Sequence, residues 1–196
     1  PLNDSSIKIA ASALRAGNLV AFPTETVYGI AAAAWHTDAV ERLIQSKGRA
    51  TGHPLALAIK DPLEAMEYVP DLSIIANRLA RRCWPGPLTL VLPADHPDSQ
   101  LHQLPASVRQ AVVPQQTVGL RVPSHPMILA TLQASTGPFV LTSANLSGQP
   151  AACTADQAVK DLGEHLDLVL DDGPTRFSQA SSVVEVQDNQ LKILRE

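Results

Sequence analysis

Short apolar runs alternate with amphipathic segments along most of this chain, and that alternation constrains the fold more than any other feature. Residues 18–22, 88–92 and 118–122 are apolar runs of strand length, whereas residues 5–16 and 71–82 place apolar side chains at helical spacing. A chain that alternates strands with helices usually covers its sheet with those helices. We therefore predict an α/β protein with a twisted, mostly mixed β-sheet flanked by helices.

The remaining segments fit the same plan. Strands are predicted at residues 27–35, 55–59, 139–141, 166–170, 182–186 and 191–194. Helices are predicted to begin at Thr37, at Pro126 and after Thr154, where Gln157 completes a capping box, and residues 94–105 are predicted to be an irregular connection. Because the chain has 196 residues, 45% of them hydrophobic, and neither a linker nor an internal repeat, we expect residues 1–196 to form one domain.

Charge and composition exclude several classes of protein. The chain has 15 Lys and Arg against 19 Asp and Glu, which argues against a dedicated DNA-coating protein. No apolar run approaches the roughly 20 residues of a membrane-spanning helix. The first residues lack the features of a signal peptide, and the two cysteines are too sparse for a disulfide framework. We therefore expect a cytoplasmic protein with no membrane partner.

The common catalytic and nucleotide-binding signatures are absent from the sequence. It contains no GxxxxGK[ST], GxGxxG, HExxH or GxSxG motif. Its six histidines include no pair spaced i, i+4 on a helix, so a histidine metal site is not indicated.

Polar side chains instead follow the ends of predicted strands and helices. These groups are Thr24-Glu25-Thr26, Lys47-Gly48-Arg49, Thr117 with Arg121, and Ser143-Ala144-Asn145. Such strand ends converge on ligands in open α/β sheets. Lys47 and Arg49 could simply satisfy the last carbonyls of a helix, or they could bind a polyphosphate through a point charge and a planar fork.

The other groups also allow two interpretations. Arg121 alternates with apolar residues in its strand, so it could lie on a solvated face or bind the carboxylate of a small substrate. Ser143 and Asn145 could form an ordinary turn, or their hydroxyl and amide groups could donate hydrogen bonds to phosphates.

Five segments in this order resemble the YrdC/Sua5 family of threonylcarbamoyl-AMP synthases. The segments are Pro23-Thr24-Glu25-Thr26-Val27-Tyr28-Gly29, Lys47-Gly48-Arg49 with His53-Pro54-Leu55, Trp84-Pro85-Gly86-Pro87, Arg121-Val122-Pro123 with His125-Pro126, and Ser143-Ala144-Asn145-Leu146-Ser147-Gly148. The resemblance covers nearly the whole chain and implies the short, single-domain form of the family, with a YrdC-like fold. His53 and Ser182 depart from the family pattern, so the resemblance assigns them no contact.

The resemblance implies that L-threonine, bicarbonate and ATP react to give threonylcarbamoyl-AMP and pyrophosphate for tRNA threonylcarbamoyladenosine synthesis, assisted by Mg²⁺. It implies no covalent nucleophile, because Lys47 and Arg49 would act by positioning. The expected ATP-binding residues are Lys47, Arg49, Thr117, Ser143, Asn145 and Arg195. The expected threonine-binding residues are Thr26, Arg121 and Ser181. It identifies no metal ligand, and tRNA and the other threonylcarbamoyl-transfer proteins are the possible partners.

Two alternatives remain open from the sequence. One is an RNA-binding module with a basic concave face built from Lys47, Arg49, Arg81, Arg82 and Arg121. The other is a related carbamoyl-transfer domain.

Overall fold

The computed structural model describes residues 3–48 and 54–196. Its helices are α1 (Asp4–Arg15), α2 (Thr37–Ser46), α3 (Ala65–Tyr68), α4 (Ile74–Cys83), α5 (Ala106–Val112), α6 (Pro126–Gln133) and α7 (Ala155–Leu162). Its strands are β1 (Val20–Phe22), β2 (Gly29–Ala33), β3 (Ala56–Ala58), β4 (Leu88–Pro93), β5 (Thr117–Arg121), β6 (Phe139–Ser143), β7 (Leu168–Val169), β8 (Ser182–Gln187) and β9 (Gln190–Arg195).

The strands that the structure describes form one mixed sheet in the order β7-β1-β2-β6-β3-β5-β4-β8-β9. Strand β3 pairs parallel with β5 and antiparallel with β6, and β4 pairs parallel with β8. Neighbours in the sheet are therefore often distant in sequence. The predicted α/β class, with a mostly mixed sheet flanked by helices, is confirmed.

One face of the sheet carries the larger hydrophobic core. Leu57, Leu90, Leu120 and Val140 of the central strands are completely buried on this face. The helices that cover them are α2, α4, α5 and α7, whose buried residues belong to the same cluster. Burial of this apolar surface is the main favourable contribution to folding here.

Only part of the opposite face is covered. Helices α1 and α6 pack together over β1, β2 and β6, where Phe22 and Phe139 stack with ring centroids 6.4 Å apart. The adjoining part of this face, formed by β3, β5, β4 and β8, carries small or polar residues such as Ala56 and Gly119. The sheet therefore has an open half beside its covered half.

Local sequence accounts for the ends of several helices. Asn3 and Ser6 form a capping box at the start of α1, with Asn3 Oδ1 accepting from the Ser6 backbone N–H at 2.8 Å. Thr154 caps α7 by accepting from Gln157 N–H, as predicted. The Gln157 side chain, however, accepts from the backbone of Cys153, one residue before the cap.

Most predicted elements are confirmed, with their ends moved by a few residues, and two helices were not predicted. Helix α3 has four residues and α5 has seven, which is too short for a helical period to stand out in the sequence. The predicted irregular connection at residues 94–105 contains a short 3₁₀ helix, Gln100–Gln103. None of the described helices combines the length and the apolar character that a membrane span requires. The domain boundaries at residues 1 and 196 stay a prediction.

Candidate active site

A cavity of about 450 Å³ lies on the open half of the sheet. Its floor consists of paired residues on neighbouring strands, because Gly119 lies opposite Ala56 on β3 and opposite Val91 on β4. Directly paired residues point to the same side of a sheet. Gly119 has no side chain and that of Ala56 is small, so these two residues leave space above the floor. The volume falls within the usual range for small-molecule sites.

Arg121 is the central charged group of this cavity. It ends β5 and is 7% exposed, so its guanidinium lies in the wall and not on an outer face. Its Nη2 donates to Glu25 Oε1 at 2.6 Å and to Thr26 Oγ1 at 2.9 Å. Its Nε is buried and has no hydrogen-bond partner among the described residues. The solvated-face interpretation of Arg121 is therefore wrong.

A second arginine lies near the first. Arg195 of β9 donates from Nε to the Ser181 carbonyl at 2.8 Å and from Nη2 to Ser181 Oγ at 3.2 Å. Ser181 Oγ is also 3.0 Å from Thr89 Oγ1 on β4. Burial, and then the nearby charge of Arg121, lowers the pKa of Arg195. The cavity therefore concentrates positive charge beside hydroxyl groups.

Lys47 lies behind the cavity wall. It is 1% exposed, and its Nζ donates to the carbonyls of Ser143 and Asn145 and, at 3.2 Å, to Asn145 Oδ1. The Lys47 carbonyl accepts from Ser147 N–H at 3.1 Å. Lys47 therefore joins the end of α2 to the segment that follows β6.

The structure brings most of the predicted site residues together. The cavity-lining members of the predicted set are Thr117, Arg121, Ser143, Ser181 and Arg195. Thr26, Lys47 and Asn145 are buried and contact this wall through Arg121 or Ser143. Arg49 and His53 lie outside the described residues. Ser182 donates its backbone N–H to the Pro87 carbonyl.

Sequence reasoning missed several residues that line the cavity or support its wall. Glu25 stands in the Thr-Glu-Thr group, but nothing in the sequence indicates that it pairs with a residue 96 positions away. Glu185 and Leu194 also line the cavity, from β8 and β9. The rim includes Gln115, which together with Gln116 adopts positive φ values of 53° and 61°. The strand pattern alone could have suggested Glu185, since it interrupts an apolar strand.

A buried hydrogen-bond network supports the loop between β1 and β2. Tyr28 donates its hydroxyl to the Gly173 carbonyl at 2.9 Å, and burial raises the pKa of Tyr28 to about 12. The Tyr28 backbone bonds to Ala144 and Ala152. The segment Asp171–Gly173 is thereby tied to the loop that carries Thr24, Glu25 and Thr26.

The described residues include no group of three or more His, Cys, Asp or Glu side chains that could hold a metal ion. At the cavity, Glu25 is already engaged by Arg121 and by the Ser124 backbone N–H at 3.0 Å. This donor set does not form a protein cage for a divalent cation.

Comparison with known proteins places the chain in a family. The model of the Sua5/YciO/YrdC family, which carries the description "Telomere recombination", matches residues 12–196. The chain therefore belongs to this family. Threonylcarbamoyl-AMP synthase of Bacillus subtilis (strain 168) is 38% identical over 193 residues, which cover 98% of this chain and 54% of that protein.

Two further relatives support the same family assignment. A putative threonylcarbamoyl-AMP synthase of Mycobacterium tuberculosis (strain ATCC 25618 / H37Rv) is 35% identical over 189 residues, covering 95% of this chain and 81% of that protein. The crystal structure of P. abyssi Sua5 complexed with L-threonine is similar with a TM-score of 0.89 and 35% identity, over 100% of this chain and 55% of that one. The chain thus spans about half the length of the Bacillus and P. abyssi proteins.

Proposed function

We propose that this chain is a threonylcarbamoyl-AMP synthase, which forms L-threonylcarbamoyladenylate and pyrophosphate from L-threonine, bicarbonate and ATP. The observation that carries the proposal is the cavity lined by the buried Arg121, by the more exposed Arg195 and by Ser181, whose hydroxyl accepts from Arg195 Nη2. A carboxylate and a polyphosphate are the ligands that such a cluster of cations and hydroxyls favours. The names of the relatives supply the particular substrates.

The proposed reaction has two steps. The threonine amine attacks bicarbonate, giving a carbamate and water. An oxygen of the carbamate then attacks the α-phosphorus of ATP, and pyrophosphate leaves. Neither step needs a covalent bond to the protein, so catalysis consists of positioning and charge neutralisation.

Each predicted residue has a proposed task in this scheme. Threonine is held by Thr26, Arg121 and Ser181, which cluster through direct hydrogen bonds or a shared cavity wall. ATP is held by Ser143, Asn145, Thr117 and Arg195, with Lys47 and Arg49 positioning its phosphates. Since Lys47 Nζ already bonds to Ser143 and Asn145, its contribution passes at least partly through that segment.

Mg²⁺ is proposed as the cofactor, bound to the triphosphate and lowering its negative charge. Because the described residues offer no acidic cage, the ion would keep several waters and be held chiefly by phosphate oxygens. We also propose that the reaction takes place in the cytoplasm and supplies tRNA threonylcarbamoyladenosine synthesis, with tRNA and other threonylcarbamoyl-transfer proteins as partners.

Pyrophosphate release tests the proposal directly. With all three substrates and Mg²⁺ present we expect steady release, and omission of threonine or of bicarbonate should reduce it to background. Release that continues without threonine would contradict the proposal, because no amine would then be present to form the carbamate.

The structure does not favour the RNA-binding alternative. Its proposed basic face includes Lys47 and Arg121, which are 1% and 7% exposed and bonded to protein acceptors. Neither Arg81 nor Arg82, in the last turn of α4, lines the cavity. The four of these cations that the structure describes therefore do not form one concave surface.

A further inference from the structure

The two residues before Thr26 have no assigned role, although each contacts a residue of the proposed threonine site; Thr24 also lines the cavity, and Glu25 does not. Thr24 and Glu25 are 2% and 5% exposed and precede Thr26 in the loop between β1 and β2. Together with Thr26 and Arg121 they form a continuous set of hydrogen bonds, which we call the orienting chain: Glu25, Arg121, Thr26 and Thr24.

Glu25 fixes the guanidinium of Arg121. One carboxylate oxygen accepts from Arg121 Nη2 at 2.6 Å, and the other accepts from Ser124 N–H at 3.0 Å. The Glu25 carbonyl accepts from Phe177 N–H at 2.9 Å. Because both side-chain contacts are donors to Glu25, a glutamine at this position would have to lose one of them.

The two protons of Arg121 Nη2 are thereby both used, one by Glu25 and one by Thr26. Donation to a substrate carboxylate must come from the other guanidinium nitrogens. The charge of Arg121 acts on the neighbouring Arg195, whose pKa it lowers. Glu25 compensates the charge of Arg121 through their ion pair.

Thr24 sets the direction of the hydroxyl of Thr26. Thr24 Oγ1 donates its single proton to the Val27 carbonyl at 2.6 Å. In the 2.8 Å contact between the two threonine hydroxyls, the donor must therefore be Thr26. Thr26 Oγ1 also accepts from Arg121, so its proton is used and only a lone pair remains for a ligand.

We propose that Thr24 and Glu25 are positioning residues that fix the orientation of the bound amino acid. Thr26 offers an acceptor, so it receives a donor group of the substrate, its amine or its side-chain hydroxyl. Arg121 offers donors, so it receives the carboxylate. This inference rests on the proposed function, because it concerns the amino acid in the same cavity.

The first test compares Glu25→Gln with Glu64→Gln. Glu64 is an equally buried carboxylate, 6% exposed, that accepts from Lys60 N–H at 2.7 Å and does not line the cavity. We expect Glu25→Gln to raise the threonine KM about tenfold or more, the scale of a lost hydrogen bond to a charged group, while the ATP KM changes by less than about twofold. Glu64→Gln should leave both KM values unchanged.

A double-mutant cycle tests whether Glu25 acts through Arg121. In an Arg121→Met background, Glu25→Gln should produce little further rise in the threonine KM, because the group that it orients is already absent. Full additivity of the two effects would overturn the proposal, and so would an unchanged threonine KM in the single Glu25→Gln variant.

Thr24→Val and Thr24→Ser test the hydroxyl direction. Valine has nearly the same shape as threonine but accepts no hydrogen bond, so Thr24→Val frees the proton of Thr26 and should raise the threonine KM. Thr24→Ser keeps the hydroxyl and should leave the threonine KM at the wild-type value. Equal threonine KM values in the two variants would contradict the inference. Failure of the wild-type protein to release pyrophosphate would refute the proposed function; with the wild type active, these variants decide the inference alone.

Discussion

Lys47 is the residue whose surroundings differ most from what its position in the sequence indicates. A lysine just after a helix usually extends into solvent near the last carbonyls. Here the side chain is buried and its ammonium group bonds to the backbone carbonyls of Ser143 and Asn145. A burial of this kind depends on a segment almost 100 positions away, so the sequence near Lys47 could not indicate it.

Replacement of Lys47 by methionine should therefore affect stability as well as turnover. The two carbonyls would lose a charged donor inside the protein, and we expect the free energy of unfolding to fall by about 2 kcal/mol. Urea denaturation measures this change. Lys8→Met on the exposed face of α1 is the matched control, with an expected change within about 0.5 kcal/mol.

Loss of turnover in Lys47→Met with an unchanged free energy of unfolding would contradict the supporting role of Lys47. The ammonium group would then act on the ligand alone.

The sequence predicts the place in the site of some residues and not the role of others. Thr117, Arg121, Ser143, Ser181 and Arg195 were named from the sequence, and all five line the cavity. Arg121 and Ser143 belong to the segments that the chain carries in the family's order, and the other three were expected from the resemblance that covers nearly the whole chain. Glu25 was visible in the same motif, but its pairing with Arg121 depends on the fold, so its role could not be predicted.

At the scale of elements, the start of helix α6 contains a titratable cap. His125 Nδ1 accepts from Met127 N–H at 3.3 Å, and its Nε2 lies 3.5 Å from Asp172 Oδ2. Burial lowers the pKa of His125, although the negative charges of Asp172 and Glu25 oppose this shift. Protonation at Nδ1 would remove the acceptor that caps the helix.

This cap predicts a pH dependence of stability. The unfolded-state pKa of about 6.5 lies above the folded-state value, so the unfolded chain binds more protons below that pH. The contribution of His125 to the free energy of unfolding is therefore fully present at neutral pH, and it is lost as the pH falls through the window below about 6.5. Asparagine also caps helices but does not titrate there.

We expect the difference in free energy of unfolding between the wild type and His125→Asn to be constant above pH 7 and to shift in favour of the variant towards pH 5. Urea denaturation across this range measures it. A difference that stays constant down to pH 5 would contradict the lowered pKa of His125.

A second prediction at this scale concerns Gly119 of strand β5, which forms part of the cavity floor. A Cβ at this position would lie 3.5 Å from the Ala56 Cβ and 3.6 Å from Thr89 Cγ2, which are ordinary contacts. Gly119→Ala should therefore fold with a free energy of unfolding within about 1 kcal/mol of the wild type. Gly119→Leu should occupy the cavity and abolish pyrophosphate release.

Circular dichroism of both variants is the control for folding, and Gly163→Ala, outside the cavity, is the matched substitution. Normal turnover in a folded Gly119→Leu variant would show that substrates do not bind over β5.

Helices were predicted best where the apolar pattern extends over several turns. Helices α1, α2 and α4 have ten to twelve residues and were all predicted. Helices α3 and α5 were not, since one or two turns carry too little pattern to distinguish them from a loop. Strand ends moved by up to two residues, because hydrogen bonding to a neighbour, and not local composition, decides where a strand stops.

At the scale of the whole molecule, the site results from the unequal covering of the sheet. Helices α1 and α6 cover β1, β2 and β6 on one face and leave β3, β5, β4 and β8 open. The sequence predicts the class of fold, but the strand order joins segments far apart in the chain. The position of the open half follows from that order, so it could not be predicted.

We propose that this open half of the sheet holds threonine beside the triphosphate of ATP. The most direct measurement is mass spectrometry of the products formed with ¹³C-bicarbonate, L-threonine, ATP and Mg²⁺. We predict threonylcarbamoyl-AMP with the label in its carbamoyl carbon, and much less of this product from Arg121→Met under the same conditions. Absence of this product from the folded wild-type protein, or its undiminished formation by Arg121→Met, would contradict the account.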